Sequence, residues 1–564
     1  MFCHRLVGTA GVILAGALVA VEASSVFFED VAPSSGLTIA NTSGGKTRKD
    51  YILETTGNGV AVFDYDGDGA EDIFIANGTT LGGNSGPKRL PQLYHNDGRG
   101  NFTEVGKRAG FTVEGWGQGV CVGDYDNDGR PDLLVTYYGY NHLYRNLGNS
   151  RFQDVTSRAK LPTEGTRYGS GCTFLDYDRD GHLDLFIANY VDLDLSATPK
   201  PGSGLFCVWK EIPVMCGPRG LPLAHNLLYH NNGDGTFTDV SGQAGILKPG
   251  GRYALGVAAA DFNNDGWPDI YVACDMTPSL LYRNKHDGTF EERGVEAGVA
   301  YNFDGALQAG MGVAVGDFDG DGRLDIAKTN FSGDLTSLYK NEDGEFFTDV
   351  SREAGLAASQ YLGWGIAFFD ADDDGWPDLV IANGHVYPEV ENKPIGDRYL
   401  QPTLLFRNLG TGRFANWTAS AGPGFAALRP ARGLAVGDFD GDGRPEIVIV
   451  NMNSTPSLLR NRKAGGNFLN VAAGGTKSNR SGIGARVEVA IDQRRLIGEI
   501  ASGGGFYSQN SLIQHFGLGK ATVVDELKIR WPSGIVQTWK GVAANQKVVA
   551  TEGAPGLREV KPKH

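Results

Sequence analysis

The sequence predicts an all-β protein, made of a seven-bladed β-propeller with Ca²⁺ loops and a small C-terminal antiparallel β-sandwich. Three observations predict this fold class. An acidic loop recurs seven times, short apolar runs flank each copy, and 82 glycines among 564 residues provide for many turns. A four-stranded antiparallel unit that repeats in this way is typical of a β-propeller, which closes with four to eight blades.

The acidic loop carries oxygen-bearing side chains at positions 1, 3, 5 and 9 and glycine at position 6. These are the hard ligands and the tight turn that Ca²⁺ sites use, so the sequence predicts up to seven structural calcium ions. The seven copies define units 1 to 7 as follows: Asp64, Asp66, Asp68 and Asp72; Asp124, Asp126, Asp128 and Asp132; Asp176, Asp178, Asp180 and Asp184; Asp261, Asn263, Asp265 and Asp269; Asp317, Asp319, Asp321 and Asp325; Asp370, Asp372, Asp374 and Asp378; Asp438, Asp440, Asp442 and Glu446.

Two other interpretations of the loops are weaker. An EF-hand loop ends in a bidentate Glu between helices, whereas position 12 here is apolar (Ile75, Val135, Ile187) and the flanks read as strands. Isolated acidic turns are the second alternative, because Asp and Gly favour turns for local reasons. Seven copies with the same oxygen spacing favour calcium over both.

Each loop belongs to a longer unit of four short strands. In unit 2 the strands are predicted near 119–124, 131–136, 143–146 and 151–155, and the third carries a Leu-Tyr-x-Asn motif that recurs in closely similar form in every unit. Successive loops begin 52 to 85 residues apart. An open solenoid would need polar capping repeats, which we do not find. Residues 28–31 resemble an isolated fourth strand, which we expect to close the ring by joining unit 7.

The ends of the chain predict export. A basic start followed by an apolar stretch, residues 6–21, indicates a signal peptide over 1–23; a retained membrane anchor is the alternative. We expect the propeller to span 26–464, the sandwich 466–552, and a disordered tail 553–564. No membrane span is expected after cleavage, so the mature chain would be secreted, periplasmic or at the cell surface.

The formal charge of −15 is mainly that of the acidic loops, and no basic cluster argues for nucleic acid. Export would remove Cys3, the first of six cysteines. Cys207 and Cys216 lie nine residues apart in one irregular insertion and are the expected disulfide. The remaining three are interpreted as small core residues rather than metal ligands: Cys121, Cys172 and Cys274.

Blade topology separates the loops from two long insertions. The acidic loops join strands 1 and 2, so they ring one face, whereas insertions 191–226 in unit 3 and 384–403 in unit 6 join strands 2 and 3 and project from the opposite face. We call this the insertion face. Loops on a rigid scaffold often carry function, so ligand binding is expected there, with these candidates: Trp209, Arg219, His225, Asp275, His385, Tyr387 and Glu389.

These candidates also have structural interpretations. Trp209 and Tyr387 can pack the insertions onto the ring, Arg219 can hold its loop, and His385 with Glu389 forms an acid/base or metal pair only if the fold brings them together. No nucleophile elbow, phosphate loop or His-Glu-x-x-His helix occurs. The first hypothesis is therefore an adhesion or recognition scaffold for a protein or glycan, and the second an extracellular glycan-directed enzyme on the insertion face.

Several motifs also carry a family resemblance. The Gly-rich strand, the acidic loop and Leu-Tyr-x-Asn resemble the FG-GAP/VCBS repeats of integrin-α-like propellers. Residues 479–552 resemble an ASPIC/UnbV domain through 482–485, 504–509, 515–519 and 531–534. With Cys-Gly-Pro-Arg-Gly at 216–220 and Asn-Gly-His-Val-Tyr-Pro at 383–388, the chain is similar to the cartilage-acidic-protein-like family. The resemblance implies an extracellular, calcium-bound propeller and no defined reaction.

Overall fold

The computed structural model describes residues 26–82, 88–463 and 465–560. The predicted signal peptide, 1–23, lies outside these residues. Within them, α-helix is limited to the single turns Gly106–Ala109 and Pro423–Ala426. Four 3-10 turns are also present: Ile52–Glu54, Leu205–Cys207, Pro388–Asn392 and Thr418–Ser420. The rest of the regular structure is β-strand.

Units 1 to 7 each form four antiparallel strands, and the second strand always begins at position 9 of the acidic loop. The first strands are Val60–Phe63, Trp116–Gly123, Arg167–Leu175, Ala254–Ala260, Val313–Gly316, Gly363–Phe369 and Ala431–Gly437. The second strands are Asp72–Ile75, Asp132–Gly139, Asp184–Asn189, Asp269–Cys274, Asp325–Lys328, Asp378–Asn383 and Glu446–Asn451. The third strands are Gln92–Asn96, His142–Asn146, Leu227–Asn231, Leu280–Asn284, Ser337–Asn341, Leu404–Asn408 and Ser457–Asn461. The fourth strands are Phe102–Glu104, Phe152–Asp154, Phe237–Asp239, Phe290–Glu292, Phe347–Asp349, Phe414–Asn416 and, for unit 7, Phe28–Asp30.

The units close into a ring. Phe28–Asp30 pairs with Ser457–Asn461, so the N-terminal strand completes unit 7, as predicted. An apolar core fills the space between each pair of neighbouring units, including units 7 and 1. The second strands are continuous apolar runs because both of their faces are buried in these cores. The first strands contact one another around the centre, and Ala431–Gly437 contacts Val60–Phe63. The predicted all-β propeller fold is confirmed.

Two disulfides are present among the described residues. The predicted bond between Cys207 and Cys216 braces the unit 3 insertion. Cys121 and Cys172 are buried in the core, as expected, but they also form a disulfide, with Cα atoms 5.9 Å apart, which was not predicted. They lie in the first strands of units 2 and 3, which are neighbours in the ring and bring the two cysteines close enough for their sulfur atoms to bond. Cys274 is buried and free, as expected.

The C-terminal domain is a sandwich of two four-stranded sheets around one core. One sheet contains, in spatial order, Gln514–Gly519, Asn467–Gly474, Gln546–Thr551 and Arg558–Val560. The other contains Arg494–Glu499, Arg486–Ile491, Val523–Arg530 and Val536–Ala543. The pairing of Asn467–Gly474 with Gln546–Thr551 is parallel, unlike the antiparallel arrangement expected. Between Asn467–Gly474 and Gln546–Thr551 the chain forms the four strands of the other sheet. This long connection provides the crossover that a parallel pair of strands requires.

The described part of the predicted disordered tail is ordered. Arg558–Val560 adds a strand to Gln546–Thr551, so this prediction is wrong for 553–560. Before the tail, Glu552 accepts the N–H groups of Thr476, Lys477 and Ser478 over 2.7–2.8 Å. Burial raises the pKa of Glu552, but its hydrogen bonds, with that from the Ser533 hydroxyl the largest, hold it at about 2. The ionised Glu552 carboxylate, near the C-terminal end of the domain, is therefore hydrogen-bonded to residues 476–478 near its N-terminal end.

A loop of the C-terminal domain fills the centre of the ring. In this plug, residues 503–509, Gly505 exchanges two backbone hydrogen bonds with Val313 in unit 5. The Gln509 backbone N–H donates to the Val60 carbonyl of unit 1, and the Gln509 carbonyl accepts the Val62 N–H. Phe506 is fully buried, with its ring 4.8 Å from that of Trp364. Gly503 has φ +71°, and a Cβ there would lie 2.3 Å from the Cys172 carbonyl oxygen, so this close approach requires glycine.

Candidate metal centres

Each acidic loop wraps around its position 1 carboxylate. In unit 1, Asp64 accepts the N–H groups of Asp68 and Gly69 over 3.1 and 2.8 Å. Asp72, at position 9, accepts the Tyr65 N–H over 3.1 Å. The position 6 glycines have φ between +83° and +96°, which explains why the loop requires glycine. The backbone therefore gathers the four predicted oxygen side chains on one side of the turn.

The gathered carboxylates fit a hard cation. In loops 1 to 3, sets of three acidic side chains lie with ligand atoms within 4.8 Å of one another. One buried oxygen of the position 3 side chain has no hydrogen-bond partner in Asp66, Asp126, Asp178 and Asp319. Burial, together with the neighbouring carboxylates, raises the pKa of Asp72 to about 9. Buried oxygens without partners, in a cluster of like charges, indicate a site that can hold a metal ion.

A basic side chain from the third strand contacts the loop in every unit, which our sequence analysis missed. It is residue x of Leu-Tyr-x-Asn, which we treated as variable although it is basic in all seven copies. Its contacts are ion pairs with position 3, 5 or 9, and its members are His95, Arg145, His230, Arg283, Lys340, Arg407 and Arg460. This residue places a basic group beside each carboxylate cluster, and in units 2, 4, 5, 6 and 7 it is a charged Arg or Lys.

The asparagine of the same motif links neighbouring units. Its side-chain amide donates to the position 2 carbonyl of an adjacent unit, as Asn231 Nδ2 does to Tyr125 O over 2.8 Å. The same bond is made by Asn96, Asn146, Asn284, Asn341, Asn408 and Asn461. Asn96 reaches Phe439 in unit 7, so these bonds form an unbroken circle next to the acidic loops.

The C-terminal domain covers the acidic face. Arg486 donates to the carbonyl of Gly322 over 2.8 Å, and Arg494 donates to that of Gly375 over 2.6 Å. Ser481 Oγ accepts the Asp124 N–H over 2.9 Å. A cavity of about 690 Å³ remains between the ring and this domain. The acidic loops therefore contribute to an interdomain contact as well as forming candidate metal sites.

Three of the insertion-face candidates form one aromatic cluster. The Trp209 ring lies 5.9 Å from that of His385 and 6.2 Å from that of Tyr387. Trp209 Nε1 donates to Asp397 over 2.7 Å. His385 is fully buried, and burial lowers its pKa to about 4, so its ring is neutral near pH 7. These side chains pack the unit 3 insertion onto the unit 6 insertion.

The other four candidates are dispersed. Glu389 Oε1 accepts the Lys49 N–H over 3.0 Å. Asp275 accepts the Tyr190 hydroxyl over 2.5 Å, and burial raises its pKa to about 6, against the lowering effects of that bond and of the Arg219 charge. Arg219 and His225 are exposed. The described contacts do not join Glu389 and His385 into an acid/base pair.

The unit 3 insertion ends in an exposed apolar tip. Leu205 is 84% exposed, and Phe206 and Val208 are 44% and 42% exposed. The Cys207–Cys216 disulfide lies inside this segment, so the tip is held by a covalent crosslink. We call Leu205, Phe206 and Val208 the insertion tip. Leu205 is the most exposed large apolar side chain among the described residues, and the insertion tip was not singled out from the sequence.

Comparison with known proteins identifies both parts of the chain. The model of the FG-GAP-like repeat matches residues 64–135, 124–187, 223–272, 261–327 and 396–449. The ASPIC and UnbV model matches residues 475–556. Human cartilage acidic protein 1 is 26% identical over 84% of this chain and 69% of its own length. The Xenopus tropicalis protein of that name is 27% identical over 85% of this chain and 71% of its own length.

Among solved structures, a lectin from Agrocybe aegerita that recognises non-reducing terminal N-acetylglucosamine is 19% identical, covering 64% of this chain and 79% of its own. Its TM-score is 0.36, which is too low to support an argument. In the part of the chain that the structure describes, no helix has the length and apolar character needed to span a bilayer.

Proposed function

Because the chain belongs to the FG-GAP-like repeat family and carries an ASPIC and UnbV domain, we propose that it is an exported, calcium-braced recognition scaffold for a protein or glycan ligand. The observation that carries the calcium assignment is the unpartnered position 3 oxygen, which recurs in Asp66, Asp126, Asp178 and Asp319. Ca²⁺ takes six to eight oxygen ligands with flexible geometry, so it suits a loop of carboxylates and backbone carbonyls. Its role would be to brace the hairpins, since the four ligand side chains of each loop lie between the end of the first strand and the start of the second strand of one unit.

Calcium removal tests this assignment. Excess chelator is expected to lower the melting temperature of the full chain, because binding to the folded state alone stabilises it by mass action. Asp124→Asn, which removes one ligand charge, should weaken calcium binding and lower the melting temperature by less than chelation does. Asp97→Asn, an exposed acidic residue outside the loops, is the matched control. An unchanged melt in chelator, with metal analysis finding no calcium, would refute calcium bracing.

Recognition is proposed for the insertion face, because the C-terminal domain covers the acidic face and the plug fills the centre. The candidates in the aromatic cluster would support the surface from beneath. Ligand contact would fall on the insertion tip and on exposed Arg219 and His225. Apolar residues held rigidly by a disulfide favour a protein ligand over a glycan, since a rigid apolar contact loses little conformational entropy on binding.

An array of extracellular protein domains and glycans, probed with the full chain with and without Ca²⁺, tests recognition. Leu205→Asp with Phe206→Ser is expected to abolish saturable binding, whereas Phe346→Ser, which changes a side chain 55% exposed in unit 5, should preserve it. Binding that survives the tip substitutions would refute the assignment to the insertion tip. Absence of saturable binding to any array member would refute the recognition scaffold.

Export is supported by the disulfides at Cys121–Cys172 and Cys207–Cys216, since such bonds persist in oxidising compartments. Extracellular calcium is also concentrated enough to fill sites of modest affinity. Expression of the full chain, followed by assay of the medium, periplasm and cytosol, checks the compartment. A reduced protein found only in the cytosol would contradict export.

A further inference from the structure

The unit 4 loop differs from the other six in its oxygen set. Asn263 stands at position 3, where every other loop has Asp. Its Nδ2 donates to Asp265 Oδ2 over 2.8 Å, so an N–H group faces position 5. A metal ion in this loop would have three carboxylates instead of four, and ligand charge count tunes calcium affinity.

Position 9 of this loop is bound to a buried arginine. Arg283 Nη1 lies 2.5 Å from Asp269 Oδ2, and Nη2 donates to the Gly344 carbonyl. The Arg283 side chain is 8% exposed, whereas the equivalent basic residues of the other units are at least 13% exposed. In the other six units the second oxygen of position 9 accepts the position 2 N–H. Arg283 is therefore a fixed part of the loop.

Position 1 is bound to a second arginine, which comes from the C-terminal domain. Arg530 Nη2 lies 2.5 Å from Asp261 Oδ2, and Nη1 donates to the Asn264 carbonyl over 3.2 Å. Among the described residues, no other position 1 carboxylate forms an ion pair. Glu499 of the same domain also accepts the Asp261 N–H over 3.0 Å. The first and last carboxylates of the loop are thus both engaged by guanidinium groups.

We propose that the unit 4 loop is not a calcium site but a binding site for the Arg530 guanidinium, which clasps the C-terminal domain to the ring without calcium. Here Arg283 and Arg530 engage the carboxylates at positions 9 and 1, whereas the basic side chains that pair with the other loops leave position 1 without an ion pair among the described residues. A guanidinium forms several directed hydrogen bonds with carboxylates and carbonyls, and it remains charged at any relevant pH. The chain would then hold calcium in units 1, 2, 3, 5, 6 and 7, which rests on the calcium assignment proposed above.

Matched substitutions at position 5 test this inference. Asp265→Asn in unit 4 and Asp128→Asn in unit 2 remove the same group, and neither residue is bonded to Arg530 or Arg283. After equilibrium dialysis of the full chain against about 1 mM Ca²⁺, metal analysis should show the wild-type amount in the unit 4 variant. The unit 2 variant should hold less calcium than the wild type. An equal loss in both variants would overturn the proposal.

Terbium provides a second test. Trp267 occupies position 7 of the unit 4 loop, and its ring lies 5.0 Å from the guanidinium carbon of Arg179 in the unit 3 loop, so it can sensitise a lanthanide bound in either loop. With excitation selective for tryptophan, Asp180→Asn at position 5 of unit 3 should reduce Tb³⁺ luminescence, and Asp265→Asn at position 5 of unit 4 should leave it unchanged. A similar reduction by both substitutions would overturn the clasp. A wild-type chain that binds neither Ca²⁺ nor Tb³⁺ would instead refute calcium bracing itself, together with this inference.

Discussion

Replacing Asn231 by alanine is expected to destabilise the ring by about 2 kcal/mol. Asn231 is 1% exposed; its Nδ2 donates to Tyr125 O over 2.8 Å and to Leu183 O over 2.9 Å, and its Oδ1 accepts the Gly233 N–H over 3.0 Å. Alanine would leave two buried carbonyl groups, those of Tyr125 and Leu183, without this partner, and each such group costs about 1–3 kcal/mol; Gly233 is exposed, so its N–H can bond water. We take the lower bound because water can enter the vacated space.

The assay is urea unfolding of the full chain in saturating calcium, combined with hydrogen exchange read by mass spectrometry. Exchange should accelerate in the segments around Tyr125 and Leu183 and remain unchanged in unit 5, because the lost bonds join units 2 and 3. Asn232→Ala is the matched control, since this neighbour is exposed and should change stability by no more than about 0.5 kcal/mol. A loss below about 1 kcal/mol, or one equal to the control, would refute the role of the asparagine circle.

Three further predictions concern other parts of the fold. Phe506→Ala, which empties a buried contact with Trp364, should cost about 3–5 kcal/mol in thermal unfolding of the full chain; a loss below about 1 kcal/mol would contradict the plug. The pKa of Glu552 is depressed from 4.5 to about 2, so its stabilisation is present above pH 4.5 and lost as the pH falls toward 2; Glu552→Gln should flatten this acid limb, and an unchanged limb would contradict the assignment. Replacing Cys121 and Cys172 with alanine, which opens a crosslink across 51 residues, should lower the free energy of unfolding in urea by about 4 kcal/mol; a loss below about 1 kcal/mol would contradict a crosslink between these two strands.

The repeated parts of the fold could be predicted because their signals are local. Each acidic loop is followed directly by an apolar strand, and the order of strands within a unit is the order in the chain. Residues 28–31 resemble a fourth strand that stands alone before the first unit, which is why the sequence predicts that they join unit 7. The signal for the basic residue x of Leu-Tyr-x-Asn is local too. Residue x differs between the seven copies but is always His, Arg or Lys, so comparing the copies by charge predicts a basic side chain beside each loop.

Contacts between distant segments could not be predicted in the same way. Cys121 and Cys172 occupy similar strand positions, but their pairing depends on how close the first strands of units 2 and 3 come at the centre of the ring. Nothing local in residues 503–509 indicates that they enter the propeller, because their partners in units 1 and 5 are about 200 or more residues away. His385 appeared accessible in a long insertion, yet the folding of that insertion onto the ring buries it completely.

The closure of the central channel constrains any function of this fold. A ligand that passed from the cavity on the acidic face through the channel would have to withdraw Phe506, which is fully buried against Trp364. Burying a phenylalanine stabilises a fold by about 1.5–3 kcal/mol, and the backbone hydrogen bonds of Gly505 with Val313 would be lost as well. A ligand that met the insertion face would displace nothing, because Leu205 and Phe206 are already exposed there. Recognition through the insertion tip therefore has the lower cost, and it leaves the acidic face free to hold the ring and the C-terminal domain together.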